Sequence, residues 1–271
     1  LPCDSAGYAI RSHQTLRALK GADVDIRAVT RPGYPWDLDF HAHLPHVDRD
    51  VVEGISYERI PSNGTGIFGD ESFYIDGYAR MLADLARRHE AAVVHGASNY
   101  MNGLAAAGAA RAIGGRSIYE MRGLWHLSRA VREPGYEKTD HFRYCRIMEL
   151  AAAEEADGVI AISSALKVHL VEEGIPADKI TVISNAVDTE EFRPMTKDRE
   201  LEERFGLRGR IVFGFIGSLT GYEGLDTLIR AFSGLRNDRL PASLLIIGEG
   251  YAGKRLKNLA ESSPARRHIR L

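Results

Sequence analysis

The stretch Ile211 to Phe232, IVFGFIGSLTGYEGLDTLIRAF, constrains the fold more than any other part of the chain. An apolar run leads into the turn Gly217-Ser218-Leu219-Thr220-Gly221. Apolar residues at helical spacing follow, at Leu225, Leu228, Ile229 and Phe232. The run reads as a buried strand and the stripe as an amphipathic helix. A strand, a tight loop and a helix in that order gather backbone N–H groups and the positive end of a helix dipole at one place, which suits a phosphate-bearing ligand. The same corner is also ordinary packing in any α/β protein, so its neighbours have to decide its meaning.

Those neighbours repeat the pattern. The spacing predicts a helix from about Ala9 to Lys20, a strand over Val24 to Thr30, an irregular polar stretch from RPGYPWD to Asp50, and a strand over Gly54 to Ile60. A helix over Phe73 to Arg88 carries Tyr78, Met81, Leu82 and Leu85 on its core face. Strands at Ala91 to His95, Ser117 to Met121, Gly158 to Ile162 and Lys179 to Ile183 alternate with helices at Gly103 to Ile113, Asp140 to Ala156 and Ser163 to Glu173. Ser163 or Ser164 is the expected cap of the last of these. This alternation implies parallel sheets. The charged segment TKDRELEERFGLRGR then separates two α/β units: an N-terminal domain over 1–194, a linker over 195–209 and a C-terminal domain over 210–271. In the second unit come the strand Ile211 to Ile216, a helix from about Gly221, a strand at Leu244 to Ile247, the Gly248-Glu249-Gly250 turn, a helix over Tyr251 to Ala260 and a strand at His268 to Leu271.

Composition excludes several classes. Lys and Arg number 35 against 37 Asp and Glu, a formal charge of −2, so no basic surface points to nucleic acid. No apolar run reaches about 18 residues and the first residues lack a signal-peptide pattern, which makes the cytoplasm the expected compartment. Cys3 and Cys145 are the two cysteines and read as reduced thiols. His41, His43 and His46 lie among Asp37, Asp39 and Asp48, but their spacing matches no zinc pattern and a polar loop accounts for them.

Four segments together resemble the family 4 glycosyltransferases of the GT-B fold: AGYAIRSHQTLRAL at Ala6 to Leu19, SNAVDTEEFRP at Ser184 to Pro194, GSLTGYEGLDTLIRAF at Gly217 to Phe232, and LLIIGEG at Leu244 to Gly250. YEMRGLW at Tyr119 to Trp125 is similar to the corresponding strand and loop in a bacterial polysaccharide and cell-envelope subset. The resemblance implies an α/β chain of two Rossmann-like parallel-sheet domains. It also implies retaining transfer of a sugar from a nucleotide diphosphate sugar to a glycan, lipid-linked or small-molecule acceptor, in a cleft between the domains. No cofactor and no obligatory metal are implied. A lipid-linked acceptor would bring peripheral contact with the inner face of the membrane. On this pattern the chain is a fragment: the opening strand and the family's glutamate pair for the donor are missing, and the expectation is that it is inactive alone.

The resemblance also assigns residues. Gly7, in Ala6-Gly7-Tyr8, and the turn from Gly217 through Ser218 and Thr220 to Gly221 would face the diphosphate. Lys254, with Arg255, is a further donor-side candidate by its position after the Gly250 turn. On the acceptor side stand His95, Glu120 and Trp125. Arg122 occupies the place where the family commonly has a histidine near the donor sugar, and is the catalytic candidate. Two residues depart from the pattern: Ser218 and Glu223 stand where relatives commonly carry Arg and Lys. A carboxylate beside a diphosphate is repulsive, and Thr220 with Glu223 fits a capping box instead. Those departures keep open a non-catalytic relative that binds a nucleotide sugar, and a GT-B nucleotide-sugar epimerase remains a further alternative. A nicotinamide dehydrogenase is disfavoured, because no G-x-G-x-x-G with a distant ribose-binding acid follows any strand. His13 reads as a surface or internally satisfied histidine.

Overall fold

The structure, a computed structural model, describes residues 7–62, 69–235 and 241–271. Cys3 and Ala6, both singled out above, lie outside the described residues. The chain divides into two compact units, Leu1–Ala186 and Val187–Leu271.

Unit 1 contains, in order, α1 (Gly7–Gly21), β1 (Ala28–Val29), β2 (Arg49–Val52), β3 (Ile55–Glu58), α2 (Glu71–Arg88), β4 (Val93–Ala97), α3 (Tyr100–Ile113), β5 (Arg116–Met121), α4 (Trp125–Arg132), α5 (Asp140–Glu155), β6 (Gly158–Ala161), α6 (Ser164–Glu172) and β7 (Ile180–Val182). Strands β4, β5, β6 and β7 form a parallel sheet in that order, so their carboxyl ends emerge along one edge. A smaller sheet has the order β1-β3-β2. Its β2–β3 hairpin is antiparallel and was not anticipated, since β2 falls in the stretch read as irregular. Helix α4 also forms where the sequence suggested a loop.

Local chemistry explains the helix starts. Asp70 accepts from Phe73 N at 3.0 Å, Thr139 from Phe142 N at 3.2 Å and Ser163 from Leu166 N at 3.1 Å, each satisfying a donor that a helix cannot pair internally. The stripe on α2 is core: Tyr78, Leu82 and Leu85 are buried with Ala105, Ala106 and Ala109 of α3. A second core joins Tyr119 and Met121 of β5 to Ala152 and Ala153 of α5. His13 is internally satisfied, 4% exposed and 2.7 Å from the Tyr57 hydroxyl.

Unit 2 contains α7 (Arg199–Arg204), β8 (Ile211–Ile216), α8 (Leu225–Gly234), β9 (Ala242–Ile247), α9 (Gly253–Ser262) and β10 (Ile269–Arg270). The charged segment read as a linker therefore holds a helix, capped by Asp198. The sheet is parallel in the order β10-β9-β8, and Leu225, Ile229 and Phe232 of α8 bury against Leu244 and Ile246 of β9 and Leu256 of α9. The expectation that Ile211 to Ile216 is a buried strand is corrected. Among the described residues β8 pairs with β9 alone, and Ile216 is 81% exposed.

Candidate functional site

The carboxyl edge of the four-stranded sheet is organised by one buried carboxylate. Glu120, near the end of β5, has a side chain 3% exposed, and accepts hydrogen bonds from Arg11 Nε and from an Arg122 terminal nitrogen, each at 2.7 Å. His95 Nε2 on β4 stands 3.2 Å away. Burial alone pushes this carboxyl up, but the hydrogen bonds from His95, Arg122 and Arg11 outweigh it and hold Glu120 well below the usual carboxylate range. An apolar strand such as Tyr119 to Met121 can carry a buried carboxylate only if cations come to it.

Those cations tie distant pieces of unit 1 together. Arg11 on α1 also donates to Asn185 Oδ1 at 2.8 Å, Ile183 O at 3.0 Å and Ser184 O at 3.2 Å, fixing the chain as it leaves β7. Arg122 donates to Tyr8 O at 2.8 Å and Ser12 Oγ at 2.7 Å on the first turns of α1. Its own backbone N–H reaches Ser98 Oγ, after β4, at 2.8 Å. The N-terminus of α1, the end of β5 and the exit of β7 are thus one hydrogen-bonded assembly.

The sequence candidates sort themselves within it. His95, Glu120 and Arg122 are brought together, but the Arg122 side chain is only 6% exposed and its terminal nitrogens serve Glu120 and α1. In this geometry Arg122 braces the edge through its terminal nitrogens, while its Nε is buried with no hydrogen-bond partner among the described residues. Gly7 is exposed at the start of α1 and Trp125 is exposed at the start of α4. Neither shares a hydrogen bond with the Glu120 group in the described structure. His126 beside Trp125 is buried against Phe142, and burial lowers its pKa. Sequence reasoning missed Arg11, Ser12 and Ser98. The available signal was the acid inside an apolar strand, which demands a basic partner, and Arg11 sits four residues into the helix that carries Gly7.

In unit 2 the two βα loops are zipped through their backbones. Leu219 N donates to Glu249 O at 2.8 Å and Ala252 N to Leu219 O at 3.0 Å, and Gly217 N continues the β8–β9 ladder to Ile247 O at 3.1 Å. A Cβ at Gly248 would collide with the Gly217 carbonyl, and one at Gly250 with the Leu219 carbonyl, so these two glycines are required by the approach of one loop to the other. Beyond the zipper, Tyr251 Oη accepts from Gly221 N at 2.8 Å.

The capping box expected at Thr220 and Glu223 does not form. Residues Gly221–Glu223 make a short 3-10 turn, and Gly224 adopts a left-handed conformation at φ 68°. That reversal restarts the helix at Leu225 and puts Glu223 ahead of the cap. Thr220 Oγ1 is buried with no hydrogen-bond partner in the described structure. Among the described residues no side chain caps α8, whose first intrahelical bond is Leu228 N to Gly224 O at 3.0 Å. The N–H groups of Leu225, Asp226 and Thr227 consequently have no partner within the helix. Ser218 is exposed on the loop, and Lys254 is exposed in the first turn of α9. Arg255 instead faces Asp226 at 3.6 Å.

Among the described residues no group of three or more His, Cys, Asp or Glu side chains could hold a metal ion. In the loop read as polar, His46 stacks on Trp36 at 4.4 Å. No helix among the described residues is long and apolar enough to cross a membrane. Cys145 is a free, buried thiol whose pKa burial raises.

A family model described as Glycosyltransferase Family 4 matches residues 7–191, and one described as Glycosyl transferases group 1 matches residues 197–271. An uncharacterised glycosyltransferase of Methanocaldococcus jannaschii is 30% identical over 108 residues, covering 40% of this chain and 27% of that protein. Sucrose-phosphate synthase from Thermosynechococcus elongatus superposes with a TM-score of 0.72 at 14% identity, over 98% of this chain and 64% of its own. A glycosyltransferase from Rickettsia africae gives 0.59 at 20% identity, over 80% and 54%. Anabaena HepE in complex with UDP gives 0.61 at 17%, over 80% and 55%. The chain thus spans about a quarter of the curated relative and under two thirds of each of these structures. At these identities the structures speak to fold, and that fold is GT-B.

Proposed function

The chain belongs to glycosyltransferase family 4, and from that premise we propose that its protein transfers a sugar from a nucleoside diphosphate sugar to an acceptor hydroxyl with retention of configuration, in polysaccharide or cell-envelope glycan synthesis. The observation that carries this reading is the uncapped N-terminus of α8, reached through a loop that glycines hold against its neighbour. Departure of a nucleoside diphosphate develops negative charge on the phosphates. Aligned N–H groups and a helix dipole stabilise that charge without rearranging. Ser218 and Glu223 remove two cations that relatives supply, so in this reading the helix end and loop amides carry more of the work, with Lys254 the basic residue of the adjoining turn. Unit 1 supplies the acceptor side at its strand ends, where the Glu120 assembly fixes α1 and the exposed Trp125 offers a face on which a sugar can stack.

The test is thermal stabilisation by a panel of UDP, GDP and ADP and their sugar conjugates. UDP comes first because HepE was solved with it. Ligand at about 100 times its Kd should stabilise by about 2.7 kcal/mol. One nucleotide class should shift the unfolding temperature, and EDTA should leave the shift unchanged. A flat panel would sink the reading. The missing Arg and Lys favour a second reading, a nucleotide-sugar-binding relative that does not transfer. It predicts the same thermal shift, but no nucleoside diphosphate released from the donor in the presence of acceptors.

A further inference from the structure

We propose that Tyr251 is a placeholder for the ligand: its phenol oxygen occupies the Gly221 N–H that a phosphate oxygen of the donor takes on binding. The inference rests on the donor-site reading of unit 2 and adds a residue that neither the glycine pattern nor the helix end identifies.

The main chain on both sides of Tyr251 is fixed. Glu249 O and Ala252 N both bond to Leu219, and Gly253 N donates to Gly250 O at 3.0 Å. The side chain is not fixed in the same way, being 69% exposed. It reaches across to the neighbouring loop, where its oxygen receives the Gly221 amide at 2.8 Å. The approach is close: a Cβ at Gly221 would stand 3.2 Å from that oxygen. Gly221 N–H therefore lies just ahead of the first turn of α8, where the amides of Leu225 to Thr227 have no partner within the helix, but is already engaged by a neutral acceptor.

A phosphate oxygen is a charged acceptor, and a hydrogen bond to it is stronger than one to a phenol. An exposed ring loses little packing when it swings away, so the exchange is uphill only by the phenol bond itself. A second observation points the same way. Thr220 Oγ1, one residue before Gly221, is buried with no hydrogen-bond partner among the described residues, so the loop holds a donor that its present shape leaves unused. Displacing Tyr251 frees the loop at Gly221 to turn both groups toward one anion.

The experiment uses the 271-residue chain, the Tyr251→Phe variant and, as a second variant, Tyr251→Ala. The probes are UDP and inorganic pyrophosphate, followed by calorimetry and by the Gly221 amide resonance in nitrogen-15 spectra. Removing the competing acceptor should tighten both probes by about 3- to 10-fold, the scale of one net hydrogen bond. The Gly221 amide should differ between the free wild type and the free Phe variant, and converge when both are saturated with either probe. Equal or weaker binding by both variants, or a Gly221 amide that does not respond to a bound probe, overturns the placeholder role while leaving the donor site standing. Failure of every protein to bind either probe overturns the donor-site reading and this inference with it.

Discussion

Glu149 gives the sharpest physical test of unit 1. It lies on α5, 1% exposed, and accepts from the Tyr119 hydroxyl of β5 and from Tyr100 N at 3.4 Å at the start of α3. Asn99, the residue at the cap position, makes no side-chain capping bond, so Glu149 serves that helix end from inside the core. Burial pushes its carboxyl from 4.5 up to about 7, while the bonds from Tyr119 and Tyr100 pull the other way. An unfolded chain loses this proton near pH 4.5, whereas the folded chain keeps it until about pH 7. The stability this proton linkage contributes is therefore complete below pH 4.5 and is lost as pH rises through 7. The gap corresponds to about 3 kcal/mol. Both tryptophans, Trp36 and Trp125, lie in unit 1, so fluorescence-detected urea unfolding reports this unit alone. Between pH 4.5 and 8 the wild type should lose about 3 kcal/mol relative to Glu149→Gln, a midpoint change of about 1 to 2 M urea. Tyr119→Phe, which removes a bond that favours the carboxylate, should move the wild-type loss to higher pH. A wild-type minus Gln difference that stays flat across this range would refute the argument.

The Glu120 assembly behaves in the opposite sense. Its carboxylate is held below the usual range, so its contribution is present above that range and is lost as the solution is acidified from there down through the lower pKa of the folded group. Glu120→Gln should cost about 3 kcal/mol by the same fluorescence assay, because Arg11 and Arg122 would keep buried charge without its counterpart. Gly250→Ala drives a Cβ into the Leu219 carbonyl and should destabilise unit 2 by about 3 kcal/mol, read as faster amide hydrogen exchange over residues 211–260 with unit 1 unaffected. Asp70→Ala removes the cap of α2 and should cost about 1 kcal/mol in the fluorescence-detected midpoint, with Asp70→Ser recovering most of it.

Hydrophobic period and turn chemistry were sufficient for much of the fold. The core face of α2, the strand at Ile211 to Ile216, and the Ser163 cap are each set by residues within a turn or two of one another. What failed did so for nonlocal or conformational reasons. T-x-x-E at Thr220 and Glu223 satisfies the letter of a capping box, but Gly224 in the left-handed region resets the helix start. The strand β8 has the composition of a buried strand but, among the described residues, pairs with β9 alone. The β2–β3 hairpin was invisible because Arg49 and Asp50 look like loop until Arg59, on the chain just after β3, pairs with Asp50. Local pattern cannot report a partner that arrives from elsewhere in the chain.

The candidate site divides along the same line. The sequence by itself determined the family, the parallel α/β units and the glycine loops, because these rest on periodicity, turn chemistry and ordered motifs that survive without coordinates. Only the tertiary structure decided which groups the named side chains meet. It set Arg122 against Glu120 and α1, made Arg11 the link between α1 and the exit of β7 at Asn185, and set Tyr251 on the Gly221 amide. Each of these is a hydrogen bond between groups 30 to 174 residues apart. Such bonds form because an unpaired buried charge or donor is costly, and the fold alone settles which partner is within reach.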